Sequence, residues 1–170
     1  MDKKRIEMEM KELEIILNYR FNNINLLSNA MCSSKIDIQS EDKKHKEYFN
    51  EGLATVGDAI LKLVLAVNLY DNGITSKGQI TIEKSKLENN RTLYDIAKDL
   101  QIINYAYNEN YFYKDNLPDH EKVSNSLHSP YIEAIICSIY YDSNFETCKK
   151  WILTWLLPLL KDNKCDGKNK

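Results

Sequence analysis

A long apolar stretch near the middle of the chain constrains the fold more than any other feature. Residues 59–69 are apolar on nearly all sides, and a helix of that character is expected in the interior of a protein rather than on its surface. The turn signal Asn72-Gly73 follows the stretch and should end the helix. We therefore predict a helix from about Glu47 to Tyr70 that lies buried in the centre of the fold.

The remaining segments also carry apolar residues at helical spacing, which predicts further helices. In chain order they lie around Ile6–Leu17, Leu26–Ala30, Ile80–Leu100 with a break near Asn89-Asn90, Tyr131–Tyr141 and Phe145–Leu160. Ser76 with Gln79 has the spacing of a capping box, and so does Ser143 before the last helix. Pro158 should disturb or end that helix. No strand-like alternation is found in the sequence, so we predict an all-α fold.

The length and composition indicate a single domain. A chain of 170 residues with 43% hydrophobic residues can bury one compact core but is short for two ordinary domains. We assign residues 1–161 to this domain. Residues 162–170 are rich in charge, and we expect them to form a disordered tail.

Several features predict a soluble, cytoplasmic protein with no membrane partner. The first ten residues mix basic and acidic side chains, unlike a signal peptide or a transit peptide. The apolar runs 61–67 and 152–160 are short for a bilayer span, and four scattered cysteines fit a reducing compartment. The formal net charge is −2, so any affinity for nucleic acid must come from local basic patches.

Carboxylates stand in unusual positions on two of the predicted helices. Asp58 leads directly into the central apolar stretch, and Glu51 falls on the same stripe of the helix. The small residues Gly57 and Ala59 beside Asp58 would let another helix approach closely. Glu133 is the sole charge in its apolar helix, where a buried carboxylate without a cation would be strongly unfavourable.

Two explanations of these acids remain open on the residue pattern. The simpler one is internal ion pairing, with Lys62 four residues after Asp58 and another cation near Glu133. In the other, Asp58 and Glu133 meet across two central helices, and their oxygens hold Mg²⁺ or Mn²⁺. Such an ion can activate water for phosphodiester hydrolysis. The pattern alone favours ion pairing, because structural ion pairs are more common than metal sites.

Sequence motifs then suggest a family. The segment Asn50–Leu61, which reads N-E-G-L-A-T-V-G-D-A-I-L, resembles the ribonuclease III signature N-E-R-L-E-F-L-G-D-A-V-L. Asn23–Ala30, Lys84–Leu93 and Ile132–Asp142 are similar to other motifs of that family, in the same order. The resemblance extends over roughly residues 10–160 and implies the helical endonuclease-domain fold. It also implies a dimeric endonuclease of double-stranded RNA that binds divalent metal through four acidic positions in each subunit.

The resemblance gives the three acids a role but leaves the acidic set incomplete. Asp58 and Glu133 match two of the four metal positions, and Glu51 matches an accessory acid near the cleavage site. The other two metal positions hold Ala54 and Pro130. We therefore expect cleavage to be lost or weak, with Mg²⁺ or Mn²⁺ as the cofactor of an active protein and no cofactor in an inactive one.

One further departure concerns the dimer. Thr55 stands where the family has a phenylalanine that plugs into the partner subunit. The usual homodimer is therefore in question, and a heterodimer with another, intact ribonuclease III-like chain becomes an alternative.

Basic and aromatic side chains are the candidates for RNA contact. The basic candidates are Lys43, Lys44, Lys46, Lys77, Lys84, Lys86 and Arg91, although such lysine runs are more often solvated faces. The aromatic candidates, in a loop predicted over residues 105–118, are Tyr105, Tyr107, Tyr111, Phe112 and Tyr113. They could stack on unpaired bases, but packing within the loop is the favoured explanation.

Three hypotheses about function follow within the family. The chain is an RNA-binding pseudoenzyme, a weakly active endoribonuclease that uses Glu51, Asp58 and Glu133, or a non-catalytic partner subunit of an intact chain. Outside the family, it would be a helical scaffold without a role in RNA binding.

Overall fold

Helices make up the fold in the part of the chain that the computed structural model describes, residues 2–32, 49–107, 112, 114–115 and 130–166. They are α1 Lys3–Leu17, α2 Ile24–Met31, α3 Phe49–Asp71, α4 Lys77–Leu87, α5 Asn90–Asp99, α6 Pro130–Asp142, α7 Phe145–Trp151 and α8 Leu157–Asp166. A 3-10 helix, Ile102–Tyr105, follows α5. Within these residues there are isolated β-bridges but no strands, so the predicted all-α class is confirmed.

Asparagine side chains cap α2, α5 and α7. Asn23, Asn89 and Asn144 each accept a hydrogen bond from a backbone N–H of the first turn, at 3.2, 2.8 and 2.9 Å. The predicted break near Asn89 is therefore confirmed. Of the two predicted serine caps, Ser76 does stand at the N-cap position of α4 but makes no capping hydrogen bond. The prediction for Ser143 was wrong, because its Oγ donates to a carbonyl of α6 and Asn144 caps α7 instead. Asn is as good an N-cap as Ser, so the sequence alone could not decide between the neighbours Ser143 and Asn144.

The backbones of α3 and α6 approach closely at Gly57. A Cβ atom added to Gly57 would lie 1.8 Å from the carbonyl oxygen of Glu133, so this position has no room for any side chain. Around this contact, buried residues of α3, which are Ile60, Leu61, Val64 and Leu65, join those of α6 in the core. The prediction that Gly57 and Ala59 let another helix approach is confirmed for Gly57 and wrong for Ala59, which is exposed.

The opposite face of α3 is exposed, and the prediction of a helix buried all round was wrong. Val56, Leu63 and Tyr70 are 38%, 51% and 59% exposed, and Ala59 is exposed as well. By length and composition one described helix, Asn50–Asp71, could cross a membrane, with 28% of its most apolar window buried. An apolar sequence pattern predicts that a helix is buried but does not show what buries it. Among the described residues, only one face of α3 is packed against other helices.

Asp142 connects the end of α6 to the turn between α1 and α2. Its carboxylate accepts hydrogen bonds from the backbone N–H groups of Asn22 and Asn23, at 2.9 and 2.8 Å, and from the hydroxyl of Tyr19 at 3.0 Å. Charge-assisted hydrogen bonds of this kind are stronger than neutral ones. The final residue of α6 therefore fixes the position at which α2 begins.

Pro158 was predicted to disturb or end the last helix, and in the structure it disturbs the helix without ending it. A π-helical turn, Ile152–Leu156, precedes the proline, and the backbone N–H of Leu157 donates to the carbonyl of Ile152, five residues earlier. The wider turn accommodates the ring and the missing donor of proline. Helix α8 then continues to Asp166, beyond the predicted helix end at Leu160.

Substitution of Gly57 by alanine should destabilise the fold. The added methyl group would overlap the Glu133 carbonyl, so α3 and α6 would have to separate, at a cost of about 3 kcal/mol. Urea unfolding followed by circular dichroism measures the effect. Gly52→Ala on the same helix is the control: a Cβ there meets nothing within 4 Å, and it should leave stability unchanged or raise it by up to about 1 kcal/mol. Equal effects of the two substitutions would contradict the proposed packing.

Candidate functional site

Asp58 and Glu133 face each other across the contact between α3 and α6. Asp58 follows Gly57 directly, and Glu133 contributes the carbonyl that fills the space beside that glycine. The two carboxylates are close enough for their charges to interact: burial, and to a lesser extent the charge of Asp58, raise the pKa of Glu133 to about 7, while the charge of Lys62 acts in the opposite direction. The structure thus brings together the two acids for which the sequence suggested a shared site.

Lys62 is bound to Asp58. Its Nζ atom lies 2.6 Å from Asp58 Oδ2, one helical turn away on α3. The hydrogen bond to Asp58 is the main cause that raises the pKa of Lys62, and the charges of Glu88 and Glu133 act in the same direction. The structure therefore contains the Asp58–Lys62 ion pair that the sequence allowed. Among the described residues no cation lies within salt-bridge distance of Glu133.

The other positions of the expected acidic set do not complete it. Glu51 lies in the first turn of α3 and is exposed. Ala54 is buried in the core, and Pro130 is the first residue of α6, where its fixed φ angle and missing N–H suit the start of a helix. Ala54 therefore serves core packing, and Pro130 serves the geometry of the helix start.

The residues present do not fit the divalent ion that the resemblance implies. In the described ranges no three His, Cys, Asp or Glu side chains form a group that could hold a metal ion. One oxygen of Asp58 is already engaged by the Lys62 ammonium, and Ala54 supplies no ligand. Divalent ions such as Mg²⁺ require several oxygen ligands at short distance, and the described side chains do not supply them here.

Glu88 is a residue that the sequence interpretation missed. It caps the C-terminus of α4, and Lys84 Nζ lies 2.9 Å from its carboxylate. Its charge acts on Lys62, so α4 adds a third carboxylate to the surroundings of that ammonium. A signal was available: Glu88 stands where the motif matched by Lys84–Leu93, R-x-x-L-V-S-N-x-x-L, has an apolar valine.

Most of the described basic candidates for RNA contact form ion pairs with acids of their own helices. Lys84 contacts Glu88, Lys86 lies 2.5 Å from Glu83, and Arg91 lies 3.0 Å from Asp95. Lys77, the first residue of α4, is exposed. Lys43, Lys44 and Lys46 lie outside the described residues. Three of the four described candidates are thus paired with acids: the Lys86 and Arg91 pairs are exposed, whereas the Lys84–Glu88 pair is partly buried.

The aromatic residues near position 107 pack inside the chain. Tyr107 and Phe112 are buried, with ring centroids 5.4 Å apart, and the Tyr107 hydroxyl donates to the carbonyl of Ser28 at 3.0 Å. Tyr105 is partly buried beneath the Lys114 ammonium. Loop packing therefore accounts for these three residues, while Tyr111 and Tyr113 lie outside the described part of the chain.

Comparison with known proteins identifies the family. The sequence profile of a family described as ribonuclease-III-like matches residues 23–160, and the chain belongs to this family. It is 30% identical over 149 residues to Ribonuclease 3 of Shewanella frigidimarina, a match that covers 87% of this chain and 60% of that protein. It is also 30% identical over 167 residues to Ribonuclease 3 of Buchnera aphidicola, covering 95% of this chain and 66% of that protein. The chain thus spans less than two thirds of these relatives.

Solved structures agree with this assignment. The chain is similar to the nuclease domain of ribonuclease III from Campylobacter jejuni, with a TM-score of 0.69 and 26% identity, over 91% of this chain and 97% of that one. A second structure of the same domain gives a TM-score of 0.66 at 26% identity, over 90% and 94%. The first is described as flexible in a region involved in dimer formation. The predicted ribonuclease III-like fold is confirmed.

The raised pKa of Glu133 predicts a pH-dependent stability. The unfolded chain releases this proton near pH 4.5 and the folded chain near pH 7, so the folded state binds more protons between these values. Stability should therefore fall as pH rises through this window. Because the side chain is only partly buried, the loss should be on the order of 1–2 kcal/mol.

Glu133→Gln cannot ionise and should lose this component of the pH dependence. Urea unfolding at about pH 4.5 and about pH 8, with the wild-type chain beside the variant, checks the prediction. The exposed Glu51→Gln is the matched control and should behave as the wild-type chain does. If Glu133→Gln kept the pH dependence of the wild-type chain, Glu133 would not be the group responsible for it.

Proposed function

We propose that this chain is a cytoplasmic RNA-processing protein that binds double-stranded RNA through its ribonuclease III-like domain and has lost most or all cleavage activity. One observation carries the proposal. Asp58, which the resemblance places among the metal ligands, is instead bound to Lys62 at 2.6 Å. Ala54 and Pro130, in the two positions where further acids are expected, add no ligand.

The chemistry of phosphodiester hydrolysis explains why this arrangement disfavours cleavage. A divalent ion lowers the pKa of a bound water and stabilises the charge that develops on the phosphate. An ammonium group offers one positive charge and hydrogen-bond donors, and it does not make a bound water into a nucleophile. A site of this kind is suited to balancing charge rather than to cutting RNA.

Binding of RNA would depend on local basic groups, since the net charge of the chain is −2. Lys77 is exposed at the start of α4, and Lys43 and Lys44 are further candidates by sequence. Lys84, Lys86 and Arg91 would contribute by exchanging a carboxylate for a phosphate. A-form RNA is recognised mainly through its phosphates and 2′-hydroxyl groups, and surface residues of this kind suit that mode.

A binding and cleavage assay on a long RNA duplex tests the proposal. The purified chain should bind the duplex with an affinity that falls steeply with salt, because phosphate contacts release counterions. It should leave the duplex intact in Mn²⁺. Lys77→Ala should reduce the slope of log affinity against log salt by about one, whereas Lys150→Ala on α7 should not.

Each alternative has its own outcome in this assay. Cleavage in Mn²⁺ that Asp58→Ala abolishes would contradict the proposal and support a weakly active endoribonuclease that uses Glu51, Asp58 and Glu133. Absence of salt-dependent binding would favour a helical scaffold without a role in RNA binding.

We also propose that the exposed face of α3 binds a second protein chain, as a homodimer or as the non-catalytic partner of an intact ribonuclease III-like chain. Val56 and Leu63 are 38% and 51% exposed, and with Ala59 they form an apolar stripe at helical spacing. Apolar faces of this kind are typical of protein interfaces. Thr55 adjoins the stripe, so the contact would lack the aromatic plug that the resemblance implies.

Leu63→Glu should abolish this association, because it places a charge on the most exposed large side chain of the apolar stripe. Multi-angle light scattering across a concentration series measures the mass. Met8→Glu on α1 is the matched control, since Met8 is 57% exposed on a different surface. A wild-type chain that stays monomeric both alone and mixed with an intact ribonuclease III would contradict the proposed interface.

A further inference from the structure

Three carboxylates on three helical elements act on the single ammonium group of Lys62. Asp58 on α3 touches it, and the charges of Glu88 at the end of α4 and Glu133 on α6 raise its pKa as well. An ordinary surface ion pair joins two side chains of one helix and contributes little. The Lys62–Asp58 pair differs in its surroundings, because acids of two other elements lie near enough for their charges to act on Lys62.

We propose that the Lys62 ammonium is a built-in replacement for a divalent ion, so that the carboxylates of this site are balanced without metal. The inference deepens the proposed function, since it explains the loss of cleavage by an added cation as well as by missing acids. The structure supports it in two ways. The Lys62 ammonium binds one carboxylate oxygen of Asp58. The described residues also contain no group of three side chains that could hold a metal ion.

Charge balance gives the physical reason. A divalent ion that approached Asp58 would meet the positive charge of Lys62 at close range, and like charges repel there even though the Lys62–Asp58 pair is exposed to solvent. The ion would also have to displace the Lys62–Asp58 hydrogen bond before it gained a ligand. Lys62 therefore excludes the ion as well as replacing its charge.

Removal of the ammonium should open the site to metal. In Lys62→Met the stem of the side chain remains but the charge is lost, and Mn²⁺ affinity at Asp58 and Glu133 should rise on the order of tenfold or more. Lys62→Arg keeps the charge and should exclude Mn²⁺ as the wild-type chain does. Lys86→Met is the matched control, because Lys86 is also a half-exposed lysine paired with an acid of its own helix.

Paramagnetic broadening of backbone amide resonances by Mn²⁺ provides a readout that needs neither RNA nor activity. In Lys62→Met, the signals of residues 57–59 and 132–134 should broaden saturably. The wild-type chain, Lys62→Arg and Lys86→Met should show no such local effect.

Two results would overturn the inference. One is saturable broadening of these signals in the wild-type chain, which is decisive even if a variant fails to fold. The other is a folded Lys62→Met that binds Mn²⁺ no better than the wild-type chain. Because duplex binding is measured separately and without metal, either result leaves the RNA-binding proposal open to its own test.

Discussion

The close contact of α3 and α6 at Gly57 is the constraint on which the rest of the structure depends. The missing side chain of this glycine lets the backbone carbonyl of Glu133 lie where a Cβ atom would otherwise be. Asp58 is the next residue on α3, so the contact that closes the core also sets two carboxylates against each other. The raised pKa of Glu133 follows mainly from burial and in part from that proximity. Packing and electrostatics at this point therefore have a common origin.

Internal groups neutralise much of the acidic charge that gathers there. Lys62 balances Asp58, Lys84 balances Glu88, and Glu133 holds a proton up to about pH 7. A buried carboxylate needs a cation, a proton or a metal, and the first two are supplied by the chain and by solvent. The site is thus arranged to be stable on its own, which is a different requirement from that of a site that must hold and use an ion.

Much of the fold could be predicted from sequence, because the spacing of apolar residues locates helices and the small residue at Gly57 marks a close approach. The sequence motifs also placed Asp58 and Glu133 correctly on facing helices. What covers a helix could not be predicted: Leu63 is as apolar as its buried neighbours, and only the tertiary arrangement shows that it is exposed. The part played by Glu88 depends on the position of another helix, which local spacing does not report. For Lys62, spacing allowed an ion pair with Asp58 but left the metal alternative open.

Helix α6, which carries Glu133, is held at both of its ends by contacts that do not use the acids of the site. Near its start the backbone of Glu133 rests against Gly57. At its end the carboxylate of Asp142 binds the turn before α2. Neither contact involves Ala54 or Pro130. In this chain the position of α6 depends on the backbone of Glu133 and on Asp142, whereas the chemistry of the site depends on the carboxyl groups of Asp58 and Glu133, so a change of those carboxyl groups need not move the helix.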